Sequence, residues 1–209
     1  MILPIVLYGD PVLRKKCVPV TAVTDEIRAF AKDMLETMHD ARGVGLAAPQ
    51  VARSIQMGVI ELPPQLPEKP NTTVVVLDGV ETKPGALGPV VFLNPKIELH
   101  REKAEGEEGC LSIPGLRADV RRSATTLVTF LGLDGQAHTV QCDGLLARAF
   151  QHEIDHLNGI LFTDRLSAAA KLGAGRKLKR FQQEWAEDGI THAQQLMRDD
   201  DDEDEEDVV

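Results

Sequence analysis

His152 and His156 stand four residues apart in the run His152-Glu153-Ile154-Asp155-His156. On a helix that spacing puts both imidazoles on one face, one turn apart, where they can grip a single metal ion. Glu153 lies beside them. The set suits metal-assisted hydrolysis: the ion acidifies a water, and the carboxylate takes its proton and later delivers it to a leaving nitrogen. The plainer reading is a pair of core histidines satisfied by hydrogen bonds. A catalytic metal usually takes three protein ligands and keeps one position open, so a third ligand must come from elsewhere. No His or Glu occurs between His156 and Glu184. Upstream, Cys110 stands in Glu108-Gly109-Cys110-Leu111-Ser112, where the glycine would allow a close backbone approach. By its type alone, Cys110 reads more readily as a small core residue than as a ligand, as do Cys17 and Cys142.

The elements that must position these residues follow from periodicity. Thr24 caps a helix whose Ile27, Phe30, Ala31, Met34, Leu35 and Met38 recur at helical spacing, and Gly43 and Gly45 stop it. Runs rich in β-branched residues at 55–62, 73–77, 90–93, 120–123, 125–131 and 138–142 predict strands of a mostly antiparallel system. The proline-rich stretch 63–89 reads as a surface excursion. Asp143 is the expected N-cap of a helix over 144–157, ended by Asn158-Gly159. Its apolar residues surround it on nearly all sides, so it should be buried. A last helix starts near Ser167, with Leu178, Phe181 and Trp185 as its inward stripe. The stretch Gly43-Val44-Gly45-Leu46-Ala47-Ala48-Pro49-Gln50 reads locally as a helix stop and turn, and it fits no phosphate-binding or dinucleotide fingerprint.

With 43% hydrophobic residues in 209, the chain can bury one sizeable core. We expect one domain over 1–187 and an acidic, disordered tail over 188–209. The net charge of -10 owes most to nine acids in an unbroken run from Asp199 to Asp207, and the body is close to neutral. Three cysteines make no disulfide framework, no stretch approaches a membrane span, and the opening MILPIVLY lacks a basic flank. These features point to a cytoplasmic protein with no membrane partner.

Three motifs in order, GVGLAAPQ, EGCLS and QHEIDHLNG, resemble the signatures of the peptide deformylase family, and the entry GDPVLRKKCVPV is similar to that family's N-terminal stretch. The resemblance implies an α+β fold, with antiparallel sheets around a buried central metal-binding helix, an N-terminal helix and a C-terminal helix. It implies removal of the formyl group from N-formyl-methionine of nascent polypeptides, releasing formate. Cys110 is thereby promoted to metal ligand with His152 and His156. One divalent ion is implied, Fe(II) in the cell, with Zn(II), Ni(II) or Co(II) possible in purified protein, a choice that a thiolate and two imidazoles suit. Glu153 is then general base, and the Gln50 amide and the Leu111 N–H hold the formyl oxygen.

Gly45, Glu108 and Gly109 are placed to pair with the peptide backbone. Val44, Leu145 and Ala149, with His152 at the floor, would line the methionine pocket. Arg148 departs from the apolar residue expected there: either that rim differs, or the side chain points away. The expected partners are N-formyl-methionyl peptides and the ribosome near its exit tunnel, not DNA, and the expected state is monomeric. Two alternatives stay open at this stage, an HExxH zinc peptidase or amidase and a catalytically silent, ribosome-binding member of the fold.

Overall fold

The computed structural model of the chain describes residues 1–63, 74–83 and 87–188. Residues 64–73 and 84–86 of the proline-rich excursion lie outside the described residues, as does the acidic tail expected over 188–209, apart from Asp188. The fold is α+β, as expected. Strands β1 (Gly45–Ala47), β2 (Met57–Ile60), β3 (Val75–Leu77), β4 (Val80–Glu81), β5 (Val90–Leu99), β8 (Thr125–Leu131) and β9 (Ala137–Asp143) form an antiparallel sheet in the order β1-β2-β5-β8-β9-β3-β4. Strands β6 (Lys103–Cys110) and β7 (Ile113–Ser123) form a separate hairpin.

Helix α1 (Asp25–Asp40) begins where Thr24 Oγ1 accepts from Ile27 N–H, and its Ile27, Phe30, Met34 and Met38 pack against β1 and β2. Helix α2 (Gly144–Leu157) is buried from Leu146 to Leu157 except for the partly buried Arg148. Two residues past its end, Gly159 has φ +71° and passes so near Arg14 that a Cβ there would lie 2.4 Å from the Arg14 carbonyl oxygen. Glycine is required at that position twice over. Asp143 occupies the N-cap position of α2, yet its side chain accepts from Val74 N–H instead of capping the helix. Helix α3 (Ala168–Asp188) buries Phe181 and Ala174 against β7 and the N-terminal segment, and Trp185 Nε1 donates to Asp10 Oδ2.

Strands β1, β5 and β6 differ from the sequence expectation for identifiable reasons; in addition, β7 begins at Ile113, ahead of the expected run at 120–123, and β4 lies inside the expected excursion. Strand β5 continues six residues beyond Leu93 because Asn94 and Pro95 fall at a bulge. Asn94 adopts φ +49° and its amide ties both backbone groups of Val20, so a strand breaker becomes a bend within the strand. Strand β6 has few β-branched residues and is held by cross-strand pairing with β7. Strand β1 is three small or apolar residues inside the expected turn, buried and paired with β2 on one side only.

At the far end of the sheet, the Asp78-Gly79 turn joins β3 to β4 with positive φ at both residues, the geometry that suits a tight hairpin. His138 fastens this arm to the sheet: Nδ1 meets Asp78 Oδ2 at 2.7 Å and Nε2 meets Asp134 Oδ2 at 3.0 Å. Asp78 Oδ1 also accepts from Thr139 N–H. The Asp78 carboxylate raises the His138 pKa and Asp134 adds to the effect, while partial burial opposes it. A raised folded-state value means the imidazolium stabilises the fold fully below the ordinary histidine value of about 6.5, and that contribution is lost as pH rises through the folded value. The thermal midpoint of His138→Gln should therefore fall below that of the parent near pH 6 and approach it near pH 9, about the range where a histidine so placed titrates. A gap that is the same at both pH values would show that the imidazolium contributes nothing.

Candidate metal centre

The N-terminal segment brings two of the motif stretches side by side. Val6 N–H donates to the Gln50 carbonyl and Tyr8 N–H to the Ser112 carbonyl. Gln50 lies on a short 3-10 turn, Ala48–Val51, and its Oε1 accepts from Ala47 N–H at 2.9 Å. Its Nε2 is thereby aimed at Ser112 Oγ, 3.2 Å away, and Cys110 Sγ, 3.5 Å away. Cys110 is the last residue of β6 and pairs with Ile113, so Leu111 and Ser112 form the hairpin turn and the Leu111 N–H stands outside that pair.

Helix α2 supplies the other face. Sγ of Cys110 and one ring nitrogen each of His152 and His156 all lie within 4.8 Å of one another, and Sγ is 3.3 Å from His156 Nε2. The other two cysteines are remote in character: burial pushes the Cys17 thiol up to about 11 and the Cys142 thiol up to about 12. This donor set fits a divalent transition ion. Burial and the neighbouring charges of His152 and Arg122 hold the His156 pKa low, which keeps it a neutral donor.

Glu108 orients His152. Its Oε2 accepts from His152 Nδ1 at 3.0 Å, which leaves Nε2 of that ring for a metal. The same carboxylate takes Nε and Nη2 of Arg122 at 2.8 and 2.9 Å, and Nη1 of Arg148 at 2.7 Å. Four donors thus fill the acceptor sites of two oxygens. Burial alone would raise the Glu108 pKa, but the hydrogen bonds from Arg122 and His152 outweigh it and hold the group well below the usual range. Arg122 also bonds Asp155, which Arg165 grips with two further hydrogen bonds. Arg122, Asp155 and Arg165 were not singled out from sequence. The signal available was the consecutive Arg121-Arg122 in a strand, where alternation turns one of the two inward.

Glu153 is buried, and its Oε2 has no hydrogen-bond partner among the described residues. Burial pushes its carboxyl up to about 7. Gly45 makes room for it, since a Cβ at that position would sit 2.4 Å from Glu153 Oε1. By contrast, Gly109 lies at an irregularity in β6 and leaves ordinary space of 3.6 Å or more around a Cβ. Val44 is exposed on the β1 side, while Leu145, Ala149 and His152 follow one another along one face of α2. Arg148 neither points away nor makes an apolar rim. It crosses Gly106, where a Cβ would meet its guanidinium at 2.8 Å, to reach Glu108 and the carbonyls of Val120 and Ala104.

The polypeptide deformylase family model matches residues 2–172. The peptide deformylase of Brucella suis biovar 1 is 42% identical over 179 residues, covering 85% of this chain and 90% of its own. The crystal structure of peptide deformylase from Thermus thermophilus aligns with a TM-score of 0.73 at 39% identity, covering 88% of this chain and 99% of that one. A Met-Ala-Ser-bound class I type b peptide deformylase from Acinetobacter baumannii aligns at 0.69 and 35% identity, covering 79% and 99%.

Gly45→Ala should displace the Glu153 carboxylate while leaving Cys110, His152 and His156 in place. The expected outcome is full metal content with a loss of hydrolysis of about tenfold or more, as a misplaced catalytic group can cause. Undiminished activity would mean that the carboxylate has room to spare.

Proposed function

This chain belongs to the polypeptide deformylase family and is a hydrolase that removes the formyl group from N-formylmethionyl peptides, and we propose that Glu153 is the general base of a reaction centred on Cys110, His152 and His156. The observation that carries this assignment is the buried, unpartnered Glu153 oxygen beside three converging metal donors. The family implies a catalytic metal; held by those three residues, it would supply Lewis acidity toward the formyl oxygen and lower the pKa of water. Its identity in the cell is Fe(II) on our reading, with Zn(II), Ni(II) or Co(II) able to replace it. Neither the peptidase nor the silent alternative is favoured, since family and fold both point to a deformylase.

In this scheme, Glu153 accepts the proton of the attacking water and delivers it to the departing amine nitrogen. The Gln50 amide gives up Ser112 to donate to the formyl oxygen as it gains charge, together with the Leu111 N–H. The peptide lies between two open strand edges, those of β1 and β6, pairing with Gly45 on one side and with Glu108 and Gly109 on the other. The small Gly109 side, which no protein atom demands, is suited to that approach. Val44, Leu145, Ala149 and His152 surround the methionine side chain. The tripeptide bound to the Acinetobacter enzyme begins with methionine, which supports this reading.

We assign residues 1–187 to one catalytic domain acting as a monomer in the cytoplasm. No described helix is long and apolar enough to cross a membrane. Glu153→Gln should keep its metal and lose most activity, because an amide cannot take the proton. Gln50→Ala should lower the rate by roughly 10²- to 10³-fold, the usual cost of one oxyanion donor. Near-normal formate release from either fully metallated variant would remove the corresponding role.

Helix α3 exposes Lys171, Arg176, Lys179 and Arg180, with Lys177 half-buried beside them. These cations suit ribosomal RNA phosphates near the exit tunnel. The nine acids that follow in sequence, Asp199 to Asp207, compete for the same charges. Truncation after Arg198 should strengthen salt-sensitive ribosome binding and leave hydrolysis of a short formyl peptide unchanged. Equal ribosome affinity of the two proteins at low salt would sink the idea.

A further inference from the structure

The face of α2 that turns away from Cys110 borders a second polar site. Gln151, Ile154 and Asp155 are spaced to share that face, and they form one wall of a cavity of about 110 Å³. Ile97 and Leu99 of β5 lie on another side, and residues at the open end of the β6–β7 hairpin complete the lining. An engineered cavity of roughly 150 Å³ takes benzene, so the space here is that of one small molecule.

Its charge is lopsided. Lys103, Arg121, Arg122 and Arg165 line it against a single acid, Asp155. Asp155 is already engaged by both Arg122 and Arg165, and Arg122 is further saturated by Glu108. Arg165 gives Asp155 its Nε and Nη2, which leaves Nη1, and its side chain is 44% exposed. The head groups of Lys103 and Arg121 have no hydrogen bond or ion pair among the described residues. In the hairpin register, Lys103 lies opposite Ser123 and Arg121 opposite Glu105, so both cations project from the same face. Glu105 is exposed and does not line the cavity. Like charges gathered at one cavity repel one another, and a bound anion would reverse the sign of that interaction.

We propose that this cavity is a binding site for a small, multiply charged oxyanion of the phosphate class, held by Lys103, Arg121 and the free edge of Arg165 on the side of α2 opposite the metal ligands. Two guanidinium groups can each offer paired N–H donors to such an ion, and the ammonium adds a third charge. The apolar side chains of Ile97 and Leu99 beside the cations leave place for a short organic body on the ion, and the small volume favours a free anion over a polymer backbone. The site is independent of the hydrolytic centre, although Asp155 and Arg122 connect its wall to Glu108.

The test is titration calorimetry of inorganic phosphate into zinc-loaded, full-length protein, comparing the parent with Lys103→Ala/Arg121→Ala. Both positions are exposed and unpaired, so the variant should fold. A second variant, Lys15→Ala/Lys16→Ala, removes the same charge from an exposed segment elsewhere. Saturable binding of one ion per chain is expected, weakened about tenfold or more by the cavity variant, as loss of charge-assisted hydrogen bonds would do, and unaltered by the control. Equal weakening by both variants, or no saturable binding to the parent, would overturn the proposal. So would binding that survives in the cavity variant but vanishes when the metal is removed, which would place the phosphate at the metal. Displacement of phosphate by a short RNA at equal phosphate concentration would contradict the assignment to a free anion.

Discussion

One buried carboxylate joins the parts of this protein that must meet. Glu108 lies in a hairpin that belongs to neither edge of the large sheet, and its four donors come from three residues on two elements: Arg122 across the same hairpin, and Arg148 and His152 on α2. A charge this deeply buried is expensive unless every acceptor site is filled, and here all are. The hairpin is therefore held to the helix by an arrangement that tolerates little displacement. Because Cys110 follows Glu108 by two residues, fixing the carboxylate also fixes where the thiol meets His152 and His156.

The same constraint sets how the hairpin meets the large sheet. Strand β1 ends the large sheet and β6 is one strand of the hairpin, and α2 runs between them with Glu153 against Gly45. Gln151 secures the helix from the other side, its amide bonding both backbone groups of Ser123 where β7 ends. With helix, hairpin and edge strand locked together, β1 and β6 each pair with a strand on one side only among the described residues. Such edges are costly to leave bare and suited to an extended peptide.

Much of this was legible in the sequence where a local rule coincided with the final structure. The α2 helix runs over the expected residues because its periodicity, its cap position and Asn158-Gly159 agree. Strand β8 matches for the same reason. The candidate metal donors are legible in part: the histidine spacing is a helical signal, whereas Cys110 depends on family resemblance, since its contact with α2 spans more than forty residues of chain. Strand β6 was hidden because Lys103–Cys110 is rich in charge and glycine, and only its pairing with β7 makes it a strand. The sequence marks Arg148 as a departure from an apolar pocket but does not show where its side chain goes. Its reach across Gly106 to Glu108 is a property of two residues from different elements, and no single-segment pattern records that.

The most direct test of the central claim is the affinity of the centre for zinc, measured by chelator competition on Glu108→Gln and on Glu108→Gln/Arg122→Met. The double variant keeps the fold testable, because it leaves no Arg122 charge buried without its partner. If Glu108 sets the orientation of His152, both variants should bind the metal about 10- to 100-fold more weakly than the parent, the usual cost of losing a partner behind a metal-bound histidine. Parent-like zinc affinity in folded variants of either kind would contradict the account.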